Sequence, residues 1–138
     1  MNLNLEGKMT ESEASMLNAL QLAYIGDAVW EMLVRSSMIH RRYNVHHLHQ
    51  QSIRRVNAGA QARALALILP GLSETEAEIV RRGRNAHAHH PVPRNQHPDD
   101  YSAATGLEAL IGYLYLTEQE KRLASLFLLV MNEEEHHG

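Results

Sequence analysis

The sequence predicts an all-α fold, and three observations support this prediction. Apolar residues recur at spacings of three and four along most of the 138-residue chain. Two of the expected helix starts carry a capping-box pair, in which a serine or threonine is followed three residues later by a glutamate. No convincing run alternates apolar and polar residues, as a half-buried strand would. We therefore expect one helical domain over residues 1–138, with flexible ends at 1–12 and 133–138.

The first two predicted helices are long. Residues 13–38 contain no proline and place apolar side chains on nearly every side of a helical wheel, which is typical of a central, buried helix. A second helical pattern covers residues 45–69 and is closed by Pro70 and Gly71. Within it, Gly59 is a candidate position for a kink or a division.

The middle of the chain contains a shorter helix and a long loop. Ser73 and Glu76 have the spacing of a capping box, which predicts a helix over residues 74–85. The following segment, residues 86–102, has three prolines in eight residues and is predicted not to form a regular helix. We expect a loop there.

Two helices are predicted after this loop. The first covers residues 103–116 and is rich in alanine, leucine and glycine. Thr117 with Glu120 forms a second capping-box pair, so a final helix should begin there and end near Asn132.

Composition limits the classes of function. The chain has no cysteine, which excludes disulfides, thiolate metal sites and cysteine nucleophiles. No stretch of about 18 apolar residues occurs, and the N-terminus lacks the basic and apolar segments of a secretion signal. These features predict a soluble protein without membrane partners and are compatible with a cytoplasmic location.

The charged residues are distributed unevenly. A formal net charge of -3 argues against a wholly basic nucleic-acid-binding surface. Arginines concentrate between residues 81 and 94, whereas acidic residues gather at 73–78 and near both ends. The sequence therefore predicts one local anion-binding face.

Two acidic residues lie inside apolar helical stretches. At about 100° per residue, Asp27 shares a helix face with Met16, Leu20, Ala23, Glu31 and Val34. The same geometry places Glu108 beside Ala104, Thr105, Ile111, Gly112 and Tyr115. Both carboxylates are therefore predicted to face mostly apolar surroundings, where an acid requires a partner.

Each of these two helices also contains a glycine, Gly26 in one and Gly112 in the other. Glycine weakens a helix by about 1 kcal/mol relative to alanine, but it permits another backbone to approach closely. A crossing at these glycines would bring Asp27 near Glu108. Adjacent carboxylates repel unless one is protonated or a cation lies between them, and oxygen ligands favour Mg²⁺ or Mn²⁺. Patterning by itself leaves open the alternative that both acids are capping or salt-bridged helix residues, with Arg35 or Arg84 as partners.

Four short motifs together carry a family resemblance. They are YIGDAVWE at 24–31, RRGRNA at 81–86, PRN at 93–95 and LEALIGYLYL at 107–116. In this order and spacing they closely resemble the Mini-ribonuclease III family, which looks like a ribonuclease III catalytic domain without the double-stranded-RNA-binding domain. The resemblance extends over most of the chain, from about Leu17 to about Leu126.

The resemblance implies a homodimer of all-helical protomers with the ribonuclease III catalytic-domain fold. Such proteins cleave double-stranded RNA, one strand at each site, and leave a short 3′ overhang. Asp27 matches the metal-binding aspartate of the family's GDA motif, and Glu108 matches the glutamate of its EALIG motif. The implied catalytic pair therefore binds Mg²⁺, with Mn²⁺ as a substitute. The implied chemistry is attack of a metal-activated water on a phosphodiester, which leaves a 5′-phosphate and a 3′-hydroxyl.

The resemblance also implies a biological role, the maturation of 23S ribosomal RNA ends in the bacterial cytoplasm. The implied substrate is the 23S ribosomal RNA precursor, and a ribosomal protein that presents this RNA is a candidate partner.

The sequence departs from full-length ribonuclease III at two acidic positions. That family usually has a glutamate four residues before the GD aspartate and an aspartate three residues before the EALIG glutamate. Ala23 and Thr105 occupy these positions here, and the mini forms of the family look similar in this respect. With two carboxylates per site, waters and phosphate oxygens must supply most of the metal coordination. Thr105 and Glu31, one turn after Asp27, are candidates for supporting or interface residues.

The arginine-rich stretch is the candidate RNA-binding region. Arginine offers planar, bidentate donors to phosphate, and A-form RNA is recognised largely through its shape, phosphates and 2′-hydroxyls. The resemblance supports assigning five residues to RNA binding: Arg81, Arg82, Arg84, Asn85 and Arg94. The alternative is a solvated helix end whose arginines complement the helix dipole.

Histidines and aromatic residues allow further interpretations. The ten histidines include HHLH at 46–49 and HAHH at 87–90, but a closed zinc site needs about four ligands in fixed geometry. We interpret the loop histidines as additional positive charge below about pH 6.5. Four aromatic residues are predicted to be core or dimer-interface residues: Tyr24, Trp30, Tyr113 and Tyr115.

Two other functions remain as alternatives. One is a catalytically silent ribonuclease-III-like domain that binds ribosomal RNA or ribosomal proteins. The other is a histidine-rich, metal-binding helical protein. The presence of both Asp27 and Glu108 favours the nuclease, because binding alone does not require paired acids.

Overall fold

The computed structural model describes residues 7–39, 43–86, 92 and 94–137, without the side chains of 134–137. These residues form seven α-helices and one short 3-10 helix, with no β-strand among them, which confirms the all-α prediction. The helices are α1 (Glu11–Ser15), α2 (Ala19–Met38), α3 (Val45–Val56), α4 (Ala58–Ile68), α5 (Glu74–Asn85), α6 (Pro98–Leu116) and α7 (Glu120–His137), with the 3-10 helix at Leu69–Gly71.

Helix α6 is the central helix of the fold. It packs against α2, α4 and α5, and its residues from Ala103 to Leu114 are buried at every position except Glu108. A helix that is apolar on all sides belongs in a core, which explains this placement. The first long helix was predicted to be the central one. Instead α2 lies beside α6 and leaves Tyr24 and Asp27 exposed.

The predicted first helix is divided in two. Helix α1 ends at Ser15 and α2 begins after Asn18, which has an extended backbone. The Asn18 side chain accepts a hydrogen bond from Leu20 N at 2.7 Å, and Gln21 Oε1 accepts one from Asn18 N at 3.0 Å. This capping box satisfies donors that a helix start leaves unpaired, so it stabilises a new start where apolar periodicity alone predicted continuity.

The second long helix is also divided, but at Asn57 rather than at Gly59. The Asn57 Oδ1 accepts a hydrogen bond from Ala60 N at 2.8 Å and starts α4. Its Nδ2 donates to the carbonyls of Ile53 and Arg54 at the end of α3. One asparagine therefore closes one helix and opens the next, a role that suits its short polar side chain.

Helix α5 has the predicted bounds and the predicted Ser73–Glu76 capping box. Helix α6 begins five residues earlier than predicted, at Pro98, and His97 is its N-cap. Proline is well tolerated at the first helical position, because that position's N–H has no partner within the helix. The prediction treated Pro98 as a residue that disfavours a helix, and it therefore placed the start of α6 too late.

The start of α7 differs from the prediction as well. Thr117 is the C-cap of α6, and its hydroxyl donates to the Tyr113 carbonyl at 2.7 Å instead of opening the next helix. Glu118 has a φ of 55°, which turns the chain, and α7 then continues to His137, past the predicted end at Asn132.

At the other end of the chain, Met9 N donates to Leu116 O at 2.9 Å. The predicted single domain with flexible ends stays a prediction.

A partly buried ion pair attaches α7 to α5. Glu76 is 6% exposed, and its carboxylate accepts hydrogen bonds from two nitrogens of Arg122, each at 2.8 Å. Arg122 also donates to the Gly71 carbonyl at 2.8 Å. This hydrogen bond from Arg122 is the main reason that the pKa of Glu76 lies below its ordinary value.

Some predictions concern residues outside the described part of the chain. The loop histidines at 87–90 belong to this group, as do residues 1–6 and 40–42. Among the described residues, no helix is both long and apolar enough to span a membrane.

Candidate active site

Helices α2 and α6 cross in direct backbone contact, and glycine makes this possible on both sides. A Cβ on Gly26 would lie 1.7 Å from the Glu108 carbonyl oxygen, and one on Gly112 would lie 2.0 Å from the Leu22 carbonyl oxygen. Real Cβ atoms do not approach backbone so closely, so neither position accepts a larger residue without a shift of the helices. The close approach that the two glycines suggested is therefore present.

A second close crossing joins α6 to α5. A Cβ on Gly83 would lie 2.8 Å from the Gly106 Cα, and one on Gly106 would lie 3.0 Å from the Val80 carbonyl oxygen. Helix α6 is thus held on two sides through its own small residues. Glu108 lies on the same helix, near Asp27 of α2 and Gln61 of α4.

The crossing brings the two predicted acids together. The Asp27 and Glu108 carboxyl groups are close enough to share a hydrogen bond. Burial raises the pKa of Glu108 to about 8, and the neighbouring Asp27 adds to this rise through its hydrogen bond and its charge. A proton on Glu108 relieves the repulsion between the two carboxylates.

The prediction that both acids face apolar surroundings is wrong for Asp27. Glu108 is half-buried, but Asp27 is exposed rather than facing an apolar surface. Ala23 and Val34, on the same side of α2, are buried. A helical wheel gives the direction of a side chain, but it does not show where the neighbouring helix stops covering it. The Asp27 carboxylate therefore lies at the open edge of the α2–α6 contact.

The donor set fits a hard divalent cation. Two carboxylates in contact offer oxygen ligands, and a cation between them would offset the same repulsion that a proton relieves. Within the described ranges, no group of three or more histidine, aspartate or glutamate side chains could hold a metal ion. A pair of acids suits Mg²⁺, which keeps several waters and takes few protein ligands.

A cavity of about 520 Å³ opens next to Glu108. It lies where the α3–α4 junction faces the first half of α6, and its lining includes Asn57, Gln61, His97, Asp100, Thr105 and Glu108. Sequence reasoning did not identify this cavity or the residue Gln61. A signal was present, because Gln61 is a polar residue on the core side of a helix that also buries Ala60, Ala64, Leu65 and Ile68.

The two candidate supporting residues have other contacts. Thr105 is 4% exposed, and its hydroxyl donates to the Tyr101 carbonyl at 3.0 Å. Glu31 is half-buried and forms an ion pair with Arg35 one turn further along α2. Neither contact reaches Asp27 or Glu108, so a supporting role for these residues stays a prediction.

The predicted RNA-binding residues fall into different environments. Arg84, Asn85 and Arg94 are exposed. Arg81 is also exposed and pairs with Glu78 through hydrogen bonds of 2.9 and 2.5 Å. Arg82 differs, because its guanidinium donates to two carbonyls between α1 and α2, those of Ser15 at 3.0 Å and Leu17 at 2.6 Å. Arg82 is therefore the least suited of the five to contact a ligand.

The four aromatic residues also lie in different environments, some buried and some exposed. Trp30 and Tyr113 are buried in the core, where Trp30 packs edge-on against Phe127. Tyr115 is half-buried, and Tyr24 is 84% exposed. Of the two predicted locations, Trp30 and Tyr113 occupy the core.

Comparisons with known proteins agree with this fold. Residues 20–119 match the Ribonuclease III domain. A Mini-ribonuclease 3 of Symbiobacterium thermophilum is 47% identical over 111 residues, which cover 80% of this chain and 85% of that protein. A Mini-ribonuclease 3 of Clostridium tetani is 37% identical over 141 residues, which cover 95% and 93%. A crystal structure of a Fusobacterium nucleatum protein aligns with a TM-score of 0.81 at 29% identity, and covers 91% of this chain and 99% of that one.

The fold and the matched domain define a class of protein, the endoribonuclease hydrolases of the ribonuclease III type. The chain belongs to the ribonuclease III family. Its similarity to the two proteins named Mini-ribonuclease 3 extends over most of its length, which confirms the resemblance carried by the four motifs.

Proposed function

We propose that this protein is a Mg²⁺-dependent endoribonuclease that cleaves double-stranded RNA as a homodimer. Asp27 and Glu108 would be its catalytic, metal-binding residues, and Mn²⁺ would substitute for Mg²⁺. The observation that carries this proposal is the contact between these two carboxyl groups at an open edge of the α2–α6 crossing. A purely structural role does not explain why a fold would hold two like charges together.

The two acids have different parts in the proposed mechanism. Glu108 is the more buried of the two acids and lies on the central helix, so it would hold the cation on the protein side. Asp27 is exposed, so it would hold the same cation on the side open to substrate. When bound, Mg²⁺ supplies activation of water and neutralisation of charge at the phosphate. We expect products with 5′-phosphate and 3′-hydroxyl ends.

RNA binding is assigned to exposed groups near the end of α5 and before α6. Arg84, Asn85 and Arg94 are exposed there, and Arg81 is exposed beside its partner Glu78. Their donors suit phosphates and 2′-hydroxyls, which dominate recognition of duplex RNA. Binding by so few cations should weaken strongly as salt is raised.

The proposed homodimer is supported by apolar exposure at the start of α2. Met16 and Tyr24 are each 84% exposed, and Tyr24 lies one turn before Asp27 on the same helix. A second protomer packed on this surface would bury both side chains and bring two active sites into one assembly. Each site would then cut one strand of a duplex.

The proposed biological role is the maturation of 23S ribosomal RNA ends in the cytoplasm, with a ribosomal protein presenting the precursor. Support for this role comes from the resemblance to the mini forms of the family. Processing of an isolated precursor fragment, with and without ribosomal proteins, is the measurement that tests it.

The activity itself is tested by incubating the protein with a duplex RNA in the presence and absence of Mg²⁺. We expect metal-dependent cleavage by the wild-type protein and none by Asp27→Asn, which keeps the size of the side chain but removes its charge. A DNA duplex of the same sequence is the control and should remain intact. Cleavage without metal, or equal cleavage by the variant, would contradict the proposal.

A further inference from the structure

Gln61 is a buried polar residue whose amide donor is not satisfied. Its side chain is 3% exposed, and its Nε2 makes no hydrogen bond of ordinary length and angle within the described residues. An unpaired buried donor costs about 1–3 kcal/mol. The core side of α4 is otherwise apolar, so a leucine or methionine at this position would avoid the cost.

The location of Gln61 connects it to the active site. It lines the same cavity as Glu108. A carboxylate accepts hydrogen bonds, and an amide N–H can donate one without adding any charge of its own. The unpaired donor and the carboxyl group therefore lie around one space.

Neighbouring polar side chains are occupied elsewhere. Asn57 caps α4 and donates to the carbonyls at the end of α3. The Thr105 hydroxyl donates to the Tyr101 carbonyl. Compared with these two cavity neighbours, Gln61 has an amide hydrogen still available for the Glu108 carboxylate.

We propose that Gln61 is a positioning residue, whose amide orients the Glu108 carboxylate so that Glu108 and Asp27 bind one cation together. This inference rests on the proposed function and deepens it. Carboxylates that bind metals are themselves commonly held by hydrogen bonds from a surrounding layer of residues, and loss of such a partner typically lowers metal affinity or activity about 10- to 100-fold. Gln61 would contribute orientation without adding a third negative charge.

The test uses Gln61→Met in the full chain, because methionine has a similar length and no donor. We expect Mn²⁺ affinity, measured by electron paramagnetic resonance on the RNA-free protein, to fall about 10-fold or more. In duplex cleavage, kcat should fall while KM for RNA stays within about twofold, since Gln61 acts on the cation rather than on the RNA. The thermal midpoint should stay equal or rise, because an unsatisfied donor is replaced by an apolar group.

Gln50→Met is the matched control, because Gln50 is exposed on α3. It should leave Mn²⁺ affinity and kcat unchanged. A second variant, Gln61→Glu, keeps the length of the side chain but removes the donor when ionised. It should lose kcat as Gln61→Met does.

Three outcomes would overturn the proposed role of Gln61. They are unchanged Mn²⁺ affinity and kcat in Gln61→Met, full kcat in Gln61→Glu, or losses in Gln61→Met that only follow a lower thermal midpoint. Each requires a wild-type protein that binds Mn²⁺ and cleaves RNA. A wild type that does neither would instead show that the proposed nuclease function is wrong, and the role of Gln61 would be wrong with it.

Discussion

Two glutamates of this protein are buried in opposite ways. Glu76 lies against Arg122, which holds the pKa of that carboxyl below its ordinary value. Glu108 lies against Asp27, and burial together with this neighbour raises its pKa to about 8. The first arrangement attaches α7 to α5. The second places like charges together at an opening of the surface.

This difference shows how a fold distinguishes an acid that stabilises the structure from an acid that is available for chemistry. A buried carboxylate with a cationic partner has its charge compensated within the chain. The charge of a buried carboxylate beside another acid is not compensated within the chain. Such a carboxylate therefore requires a proton or a cation from solution. Burial raises the pKa of both carboxyl groups, but at Glu76 the hydrogen bond from Arg122 outweighs this rise, whereas at Glu108 the neighbouring Asp27 adds to it.

The largest expected effect separates the two glutamates by activity. Glu108→Gln should lower kcat for duplex cleavage about 1000-fold, because a cation ligand worth several kcal/mol of transition-state stabilisation is lost. Glu76→Gln should retain kcat per folded molecule, because this residue lies in the α5–α7 contact. Single-turnover rates, normalised to the folded fraction, are the measurement. Similar losses in both variants would remove the distinction between the two acids.

The next effect concerns stability. Arg122→Met should lower the free energy of unfolding by about 2–3 kcal/mol, because Glu76 is left buried without its cationic partner. The value lies below that of a fully buried pair, since the Arg122 side chain is 34% exposed. Denaturant unfolding at pH 7 would measure it. A variant as stable as the wild type would show that the pair contributes nothing net.

The two glutamates should also give opposite pH dependence. The raised pKa of Glu108 means that the metal-free folded state binds this proton more tightly than the unfolded chain does. The resulting stability is complete below the ordinary glutamate pKa and is lost as pH rises through about 8. We expect a loss of about 1–2 kcal/mol, less than the whole shift implies, because the pair is partly solvated.

Glu76 contributes with the opposite sign, because its pKa is lowered. Its stabilisation is present above the ordinary glutamate pKa and is lost as pH falls below it. Unfolding curves of metal-free protein between pH 3 and pH 9 would separate the two contributions. Glu108→Gln should abolish the loss on the alkaline side, and added Mg²⁺ should reduce it in the wild type. A loss of the same size in Glu108→Gln would assign it to another group.

The smallest expected effects extend the comparison to arginines. Arg82→Ala should destabilise the protein by about 1–2 kcal/mol, because its guanidinium holds two backbone carbonyls. Arg94→Ala should leave stability unchanged, raise KM for RNA severalfold and reduce the slope of log KM against log salt by about one. The free energy of unfolding and the salt dependence of KM should be measured for both variants. Together they test whether Arg82 has a structural role and Arg94 binds RNA. A loss of salt dependence in Arg82→Ala would assign that residue to the RNA-binding surface after all.

Much of the fold could be predicted because helix signals are local. Ser73 and Glu76 gave the bounds of α5, since a capping box lies within four consecutive residues. Asn18 and Asn57 show the opposite case. Each interrupts an apolar pattern that continues on both sides, and periodicity alone does not show that a cap will be used.

The sequence by itself determined the all-α class, the small residues at which two helices cross and the two acids that meet there. These follow from periodicity, from glycine's lack of a side chain and from motifs shared with a family. Only the tertiary structure decided that Asp27 is exposed, that Arg82 holds the backbone and that Gln61 lines the cavity beside Glu108. The reason is that burial and hydrogen bonding depend on neighbours distant in sequence, whose positions no local pattern specifies.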